Sequence, residues 1–492
     1  MHVLSKSTYV RSLQCQKSLY LYKNFYKDRD PTPINRQLIF NRGHKVGELA
    51  HQLFPGGIDV SPPSHFKWAQ AAKQTSELIS KGQKIIYEAA FIFEGILVAV
   101  DLLVHSKNGW KAYEVKSNLE VKEVHIRDAS LQYYVITGCG IELNDFSVVH
   151  INRNFVKNGP IDVHQFFSIT SVHGQCIKEQ KAVKDNLLKA KQTLSLKEIP
   201  KINVGIHCYR PYDCDFYGTC WKNIRKPNVF NLENVDLETQ LDWFKKGVVT
   251  FDDVMHHHKT TKLQRTQILS ISKNEPLIET KSLSNYFASF TYPIHFIDFK
   301  FIQSAIPTFD GGSPFKKTAF AYSLLIKDNF DTAIRPKHFM AEHGFNPFPH
   351  LLSHLIENVQ AIGDIFICNK DAVLKLLQSH FDESIHSSKK FDSIIERSRE
   401  YNEPFYKAMY YHPALRSTDD VAEKHKTIIA TPNSELSIYE TEETSSSDYE
   451  NLVYETDILK TAETRQNVEQ YSNARATSML HIYDFLKSLL NK

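Results

Sequence analysis

Apolar residues recur along the first 225 or so positions in two alternating rhythms. "LIFNRGHKVGELAHQLF" spaces them at helical intervals and stops at Pro55-Gly56-Gly57, a turn signal. "HFKWAQAAKQTSELISKG" predicts a second helix. "KIIYEAAFIFEGILVAVDLLVHSKNGWKAYEVKS" is rich in Ile, Val and aromatics and predicts successive strands. "VHIRDASLQYYVITG" predicts a helix, "DFSVVHINRNF" a strand and "EQKAVKDNLLKAKQTL" another helix. This alternation predicts an α/β domain with a mixed central sheet over residues 1–228. "NIRKPNVFNLENVD" marks its end. Residues 229–290 predict short helices joined by polar turns, a helical connector. "HFIDFKF" opens a second α/β domain, 291–492, with a buried strand at Ile294–Phe301. The stretch 427–459 holds eight acids and no Lys or Arg, and its centre is rich in Ser and Thr, which predicts a mobile acidic loop. "NARATSMLHIYDFLKSLLNK" predicts a closing helix.

Composition adds bounds. The chain has 492 residues, 42% hydrophobic and 23% charged, ordinary globular values and enough length for two to four domains. It has no apolar run of membrane-spanning length, and the N-terminus has no apolar segment behind its basic residues. A soluble cytoplasmic protein without a membrane partner is the expectation. In that compartment thiols stay reduced, and clustered cysteines read as metal ligands or catalytic groups.

The net charge is only +3, but it is unevenly spread. Residues 1–230 carry 31 Lys and Arg against 20 Asp and Glu; the remainder carries 28 against 36. A basic half points to a polyanionic partner, nucleic acid above all. A solvated basic surface explains the same counts.

Within "VAVDLLVHSKNGWKAYEVK", Asn108-Gly109 is a strong hairpin signal. With these two as the turn, residue i faces residue 217 − i, so Asp101 lies opposite Lys116 and Glu114 opposite Leu103. Alternation then puts Asp101, Glu114 and Lys116 on one face. A carboxylate inside so apolar a strand is costly unless it pairs or holds a cation. Two acids and a lysine on one face suit metal-assisted phosphodiester hydrolysis, with carboxylates holding Mg2+ or Mn2+. An Asp–Lys cross-strand ion pair is the competing reading.

Asp101, a gap, then Glu114-Val115-Lys116 resembles the D-(gap)-E-x-K core of the PD-(D/E)XK nucleases. "GHKVGELA" resembles the helical motif of their RecB-like branch, with Glu48 at the acidic position, although Gly47 stands where that branch often has His. "SLQYYVITG" supplies Gln132 and Tyr133 where the branch has its Gln/Tyr helix. The resemblance implies a restriction-endonuclease-like fold and a catalytic set of Asp101, Glu114, Lys116, Glu48, Gln132 and Tyr133. It also implies Mg2+ or Mn2+ held by Glu48, Asp101, Glu114 and Val115.

"HCYRPYDCDFYGTCW" places Cys208, Cys214 and Cys220 at equal intervals. An odd number cannot pair off, and a tetrahedral metal site would need a fourth ligand. The same branch includes nucleases with one cysteine before the core and three after it, holding an iron–sulfur cluster. The resemblance therefore implies a 4Fe-4S cluster on Cys15, Cys208, Cys214 and Cys220. The spacing departs from those relatives, and zinc on the same four thiolates is the alternative. Cys139, Cys176 and Cys368 read as ordinary buried thiols.

The whole chain also resembles a bacterial family that joins such a nuclease to a "domain of unknown function 2779". "LFPGG", "VHINRNFV", "HFIDFKFIQSAIPTFDGGSPF", "FAYSLLI" and "YYHPAL" carry that likeness. The second half resembles DEDD-type exonucleases of the ribonuclease H-like fold. Its metal site looks degenerate: Asp298 is kept, but Lys300, Val373 and Arg475 stand where acids are expected. The expected function is a metal-dependent DNA nuclease acting on ends or single strands, DNA being favoured over RNA, with protein partners undefined. The alternative is a non-catalytic nucleic-acid-binding scaffold.

Overall fold

The computed structural model describes residues 3–329, 332–381, 389–415, 420–429 and 441–491. It is a mixed α/β protein whose chain divides into two compact units. One runs to Ile224 and includes Ala305–Pro307; the other holds Arg225–Ser304 and the chain from Thr308 on.

The first unit is built on a mixed sheet. Its strands are β1 (Leu4–Ser5), β2 (Ile58–Asp59), β3 (Ile85–Phe93), β4 (Ile96–Ser106), β5 (Gly109–Lys116), β6 (Leu143–Ile151) and β7 (Phe167–Ser171). The order is β2-β3-β4-β5-β6-β7, with β1 pairing in parallel with β4. β3, β4 and β5 form an antiparallel meander, and β5 and β6 are parallel. A parallel pair needs a crossover, and α5 (Glu123–Gly138) supplies it. Ala129, Leu131, Val135 and Ile136 of α5 pack with Ile86, Val100, Leu103 and Phe146 of the sheet in one buried cluster. The remaining labelled helices of this unit are α1 (Lys6–Gln14), α2 (Gln16–Asn24), α3 (Ile34–Ala50) and α4 (Trp68–Ser80). A further helix spans Gln180–Leu194.

The hairpin register differs from the expected one. Ser106 pairs with Gly109 and Leu102 with Tyr113, so residue i faces 215 − i and the turn is Lys107-Asn108. Ser106 Oγ bonds the Asn108 N–H (3.3 Å) and the Gly109 carbonyl (3.2 Å), closing the turn one residue early. Gly109 is the first strand residue, at φ +102°, where a Cβ would stand 2.8 Å from the Asn144 side chain. Continued one residue past the last pair, this register sets Asp101 opposite Glu114, not Lys116. A shift of two residues preserves strand parity, so Asp101, Glu114 and Lys116 still share a face.

The second unit has a five-stranded sheet in the order β11-β10-β9-β12-β13. These are β9 (Ile294–Ile302), β10 (Thr318–Lys327), β11 (Arg335–Met340), β12 (Ile365–Ile367) and β13 (Ser398–Glu400). β9 is antiparallel to β10 and parallel to β12. Every residue of β9 and β10 is buried, which is why "HFIDFKF" reads as a continuous run and not an alternating one. A small pair, β8 (Leu277–Ile278) with β14 (Tyr410–Tyr411), lies outside this sheet.

Two expected segments show more structure than the sequence predicts. The helical segment 229–290 has a buried cluster of its own, with Val229, Leu232, Phe251, Val254 and Ile268, and its Leu263, Leu283, Tyr286 and Phe287 join Phe296 and Phe366 of the sheet in another. The acidic stretch 427–459 is not simply a loop either. Residues 430–440 lie outside the described ones, but Glu442–Asn451 is a helix and Leu452–Tyr454 a 3-10 turn. Tyr449 stacks on Phe320 (3.9 Å between centroids), and Leu452 is buried beside it. Two apolar anchors at helical spacing outweigh the polar average of the segment. The closing helix is longer than predicted, Ile458–Ser488. Among the described residues no helix is long and apolar enough to cross a membrane.

Candidate active site

The ladder between β4 and β5 ends at Leu102 and Tyr113. Beyond it the Val115 N–H donates to Asp101 Oδ2 at 2.5 Å, so a carboxylate takes the place of a strand carbonyl. Glu114 is buried on this face. Its Oε1 accepts from Lys116 Nζ (2.8 Å) and Lys6 Nζ (2.7 Å), and its Oε2 from Gln132 Nε2 (2.7 Å). Gln132 comes from α5, which brings it back across β5. Lys116 also donates to Asp128 of α5 at 2.8 Å.

The electrostatics follow from this arrangement. Burial pushes the Glu114 carboxyl up, but the Lys116 and Lys6 ammonium groups outweigh it and hold the group well below the usual range. Burial and the Glu114 charge push Asp101 well up. Burial works against the charge on Lys116, yet Glu114 and Asp128 hold it firmly protonated. His125, in the first turn of α5, is pushed down to about 4 by burial and by the Lys116 charge, and is neutral at pH 7.

The structure brings together four of the expected residues, Asp101, Glu114, Lys116 and Gln132, with the Val115 backbone between them. The other two make no hydrogen bond or ion pair with these four among the described residues. Glu48 is exposed near the end of α3, where its charge is felt by His51. Tyr133 follows Gln132 on α5 but points about 100° away, and its ring lies 5.5 Å from His173.

Three residues missed in the sequence belong to the same cluster. Lys6 arrives from 108 positions away. Asp128 sits one helical turn before Gln132. Glu88 stands on β3 where the unchanged β3–β4 register would place it opposite Asp101, the one position at which the ladder makes no pair, with a left-handed backbone at φ 53°. Burial and the Glu114 charge lift Glu88 to about 7, against the pull of Lys6. An acid inside "IIYEAAFIF" is the same signal that marked Asp101.

The donor set suits a hard divalent cation: carboxylates on adjacent strands, and the buried Gln132 Oε1 without a hydrogen-bond partner. Cys15, Cys208, Cys214 and Cys220 line one cavity with Lys17, Ser18 and Phe216. Cys15 lies between α1 and α2, Cys208 ends the 3-10 turn Ile206–Cys208, and Cys220 lies on the short helix Tyr217–Trp221. The Cys214 N–H donates to the Cys208 carbonyl at 2.8 Å. Burial raises the Cys15, Cys208 and Cys220 thiols. An all-sulfur donor set fits an iron–sulfur cluster or zinc. Among the described residues no group of three or more His, Cys, Asp or Glu side chains stands ready to hold a metal ion. Cys139, expected to be buried, is exposed after the end of α5; Cys176 is buried and Cys368 partly so.

In the second unit, Asp298 of β9 lies 2.5 Å from Lys300 Nζ and 3.2 Å from Arg475 Nε. Lys300 is fully buried, 4.6 Å from the Tyr471 ring centroid. Burial raises Asp298, but the two cations hold it below the usual range. Val373 packs against the apolar cluster.

Comparison with known families matches residues 295–418, the segment from β9 through β14, to the family described as "Domain of unknown function (DUF2779)". No curated protein matches the chain. The family match covers the second unit's sheet and leaves the carboxylate and cysteine sites of the first unit outside it.

Proposed function

We propose that the unit ending at Ile224 is a Mg2+- or Mn2+-dependent nuclease of the RecB-like PD-(D/E)XK type, acting on DNA ends or single strands. One observation carries the reading. Asp101, Glu114, Lys116 and Gln132, from two strands and a helix, meet where β4 and β5 part. A cation bound there would polarise a phosphate and lower the pKa of the attacking water. Asp101, Glu114 and the Val115 carbonyl are the groups to hold it. Gln132 fixes one oxygen of Glu114 and so sets the direction of the other. Lys116, oriented by Asp128, brings a permanent positive charge to where charge develops on the phosphate. The basic surface of the unit grips the backbone of the nucleic acid. Cys15, Cys208, Cys214 and Cys220 would hold a 4Fe-4S cluster, or zinc, that ties the N-terminal helices to the segment 207–221. The mixed sheet of the second unit, with Asp298 closed by Lys300 and Arg475, supports a ribonuclease H-like domain without its own metal chemistry.

The test is the purified full chain with end-labelled single- and double-stranded DNA and RNA, in Mn2+ or in EDTA. Cleavage in Mn2+, absent in EDTA and absent in Asp101→Asn, is the expected result. Binding without cleavage on every substrate would leave the non-catalytic scaffold.

A further inference from the structure

We propose that Lys6 competes with the divalent cation for Glu114: its ammonium is an internal occupant of the cation site, and the arriving cation displaces it. The inference rests on the metal-dependent reading of this site and concerns how the site is loaded.

Lys6 reaches Glu114 from a fixed starting point. Leu4 and Ser5 pair with Ile96 and Leu97 of β4, so the chain enters α1 pinned to the same sheet as Asp101. Ser5 caps the helix in a capping box: the Ser5 N–H donates to Thr8 Oγ1 at 2.7 Å, and Ser5 Oγ accepts from the Thr8 N–H at 3.4 Å. Lys6 is therefore the first helical residue, and its stem leaves from a fixed backbone.

At the other end, the two oxygens of Glu114 are not equivalent. Oε2 is taken by Gln132. Oε1 receives both ammonium groups, Lys6 at 2.7 Å and Lys116 at 2.8 Å. Two like charges on one oxygen repel each other strongly, and a dication brought to that oxygen repels both. One lysine must yield. Lys116 has a second carboxylate, Asp128, at 2.8 Å. Lys6 has a direct ion pair only with Glu114 among the described residues, Asp101, Asp128 and Glu88 being felt from further off, and its side chain is 30% exposed. Lys6 breaks one direct ion pair by leaving and regains water; Lys116 would have to break two. The residue that makes way is Lys6.

The consequence is a threshold. While Lys6 is in place, the negative charge of Glu114 is compensated and the buried acid is satisfied without metal. A cation has to win Glu114 from an ammonium before it can serve the reaction, so the affinity of the site is set partly by a residue that is not a ligand.

Calorimetric titration of Mn2+ into the full chain reads this directly, without reference to cleavage. Lys6→Met is expected to bind Mn2+ on the order of tenfold more tightly than wild type. Lys6→Gln, which keeps a polar group at Glu114 without the charge, carries the same expectation should the Met variant fail to fold. Lys6→Arg keeps the competing charge and is expected to stay within about twofold of wild type. Adding Asp101→Asn to Lys6→Met should abolish the gain, which locates it at this site. Equal or weaker Mn2+ binding by the uncharged variants overturns the proposal while leaving the nuclease reading to its own assay. Tighter binding in a protein that cleaves nothing keeps the competition and removes the nuclease reading. A wild type and variants that bind no Mn2+ at all overturn both.

Discussion

At the scale of single residues, Glu114 is the centre of the first unit. It is buried, and each of its oxygens is spoken for by a side chain from another element. Glu114→Gln keeps the shape and removes the charge that holds Lys116 and Lys6 and that, in the proposed reaction, would hold a cation. Asp101→Asn removes the second carboxylate. Each is expected to lower the cleavage rate by about 100-fold or more while leaving nucleic-acid affinity nearly unchanged, read as single-turnover rate against filter binding. A second residue-scale prediction concerns pH and the other unit. His295 is fully buried on β9. Its Nδ1 lies 3.2 Å from the Asp364 carbonyl and its Nε2 accepts the Gln360 N–H at 3.3 Å, a pairing that only the neutral ring can make. Burial pushes its pKa down to about 4. The unfolded chain, at about 6.5, then takes up the proton first as pH falls. Stability is fully present above about 6.5 and is lost progressively toward 4, by up to about 3 kcal/mol. His295→Asn should melt lower at neutral pH and show a flatter fall in melting temperature between pH 6.5 and 4. An unchanged slope would mean the ring does not titrate there.

At the scale of elements, α1 links two sites. Lys6 at its start reaches Glu114, and Cys15 at its end lines the cysteine cavity. Between them Arg11 makes two bonds to Asp215, at 2.5 and 2.9 Å, and Gln14 donates to the His207 and Tyr212 carbonyls. Asp215→Asn breaks a half-buried charged pair and is expected to cost about 2 kcal/mol in the first unit's unfolding free energy. It should also speed the reaction of Cys15 with a thiol reagent. Anaerobically purified protein is expected to contain iron, and Cys214→Ser to lose it together with thermal stability. Colourless protein with one zinc per chain would keep the site and change the metal. The elements themselves were largely legible: β3 to β6, α5 and β9 follow from apolar rhythm and turn signals. The hairpin register was misread by two residues because Asn108-Gly109 is a strong signal and the Ser106 side chain, which overrides it, is not. The face survived because parity did. Lys6 and Asp128 were illegible for a different reason. Nothing local marks a lysine 108 residues from its partner, and only the folded sheet brings them together.

At the scale of the whole molecule, two α/β units carry two buried acid clusters of opposite character. Around Glu114 the acids outnumber the ammonium groups: Glu88, Asp101, Glu114 and Asp128 against Lys6 and Lys116. Around Asp298 two cations, Lys300 and Arg475, close directly on one carboxylate, with Glu442 acting on both from further off. A carboxylate already paired with two cations offers a divalent ion repulsion in place of a ligand. Lys300 cannot simply swing away, since it is fully buried and an unpaired ammonium there would cost several kcal/mol. The second unit should therefore add no metal-dependent cleavage of its own. In the full chain, Asp101→Ala is expected to remove all Mn2+-dependent cleavage, 3′-trimming included. Asp298→Ala should leave the cleavage rate of the first unit unchanged. That variant should instead lower the melting temperature, because it strands Lys300 and Arg475 without their shared partner. Trimming of 3′-labelled DNA or RNA that persists in Asp101→Ala and disappears in Asp298→Ala would show that the second cluster can still take up a metal, and the chain would then hold two nucleases.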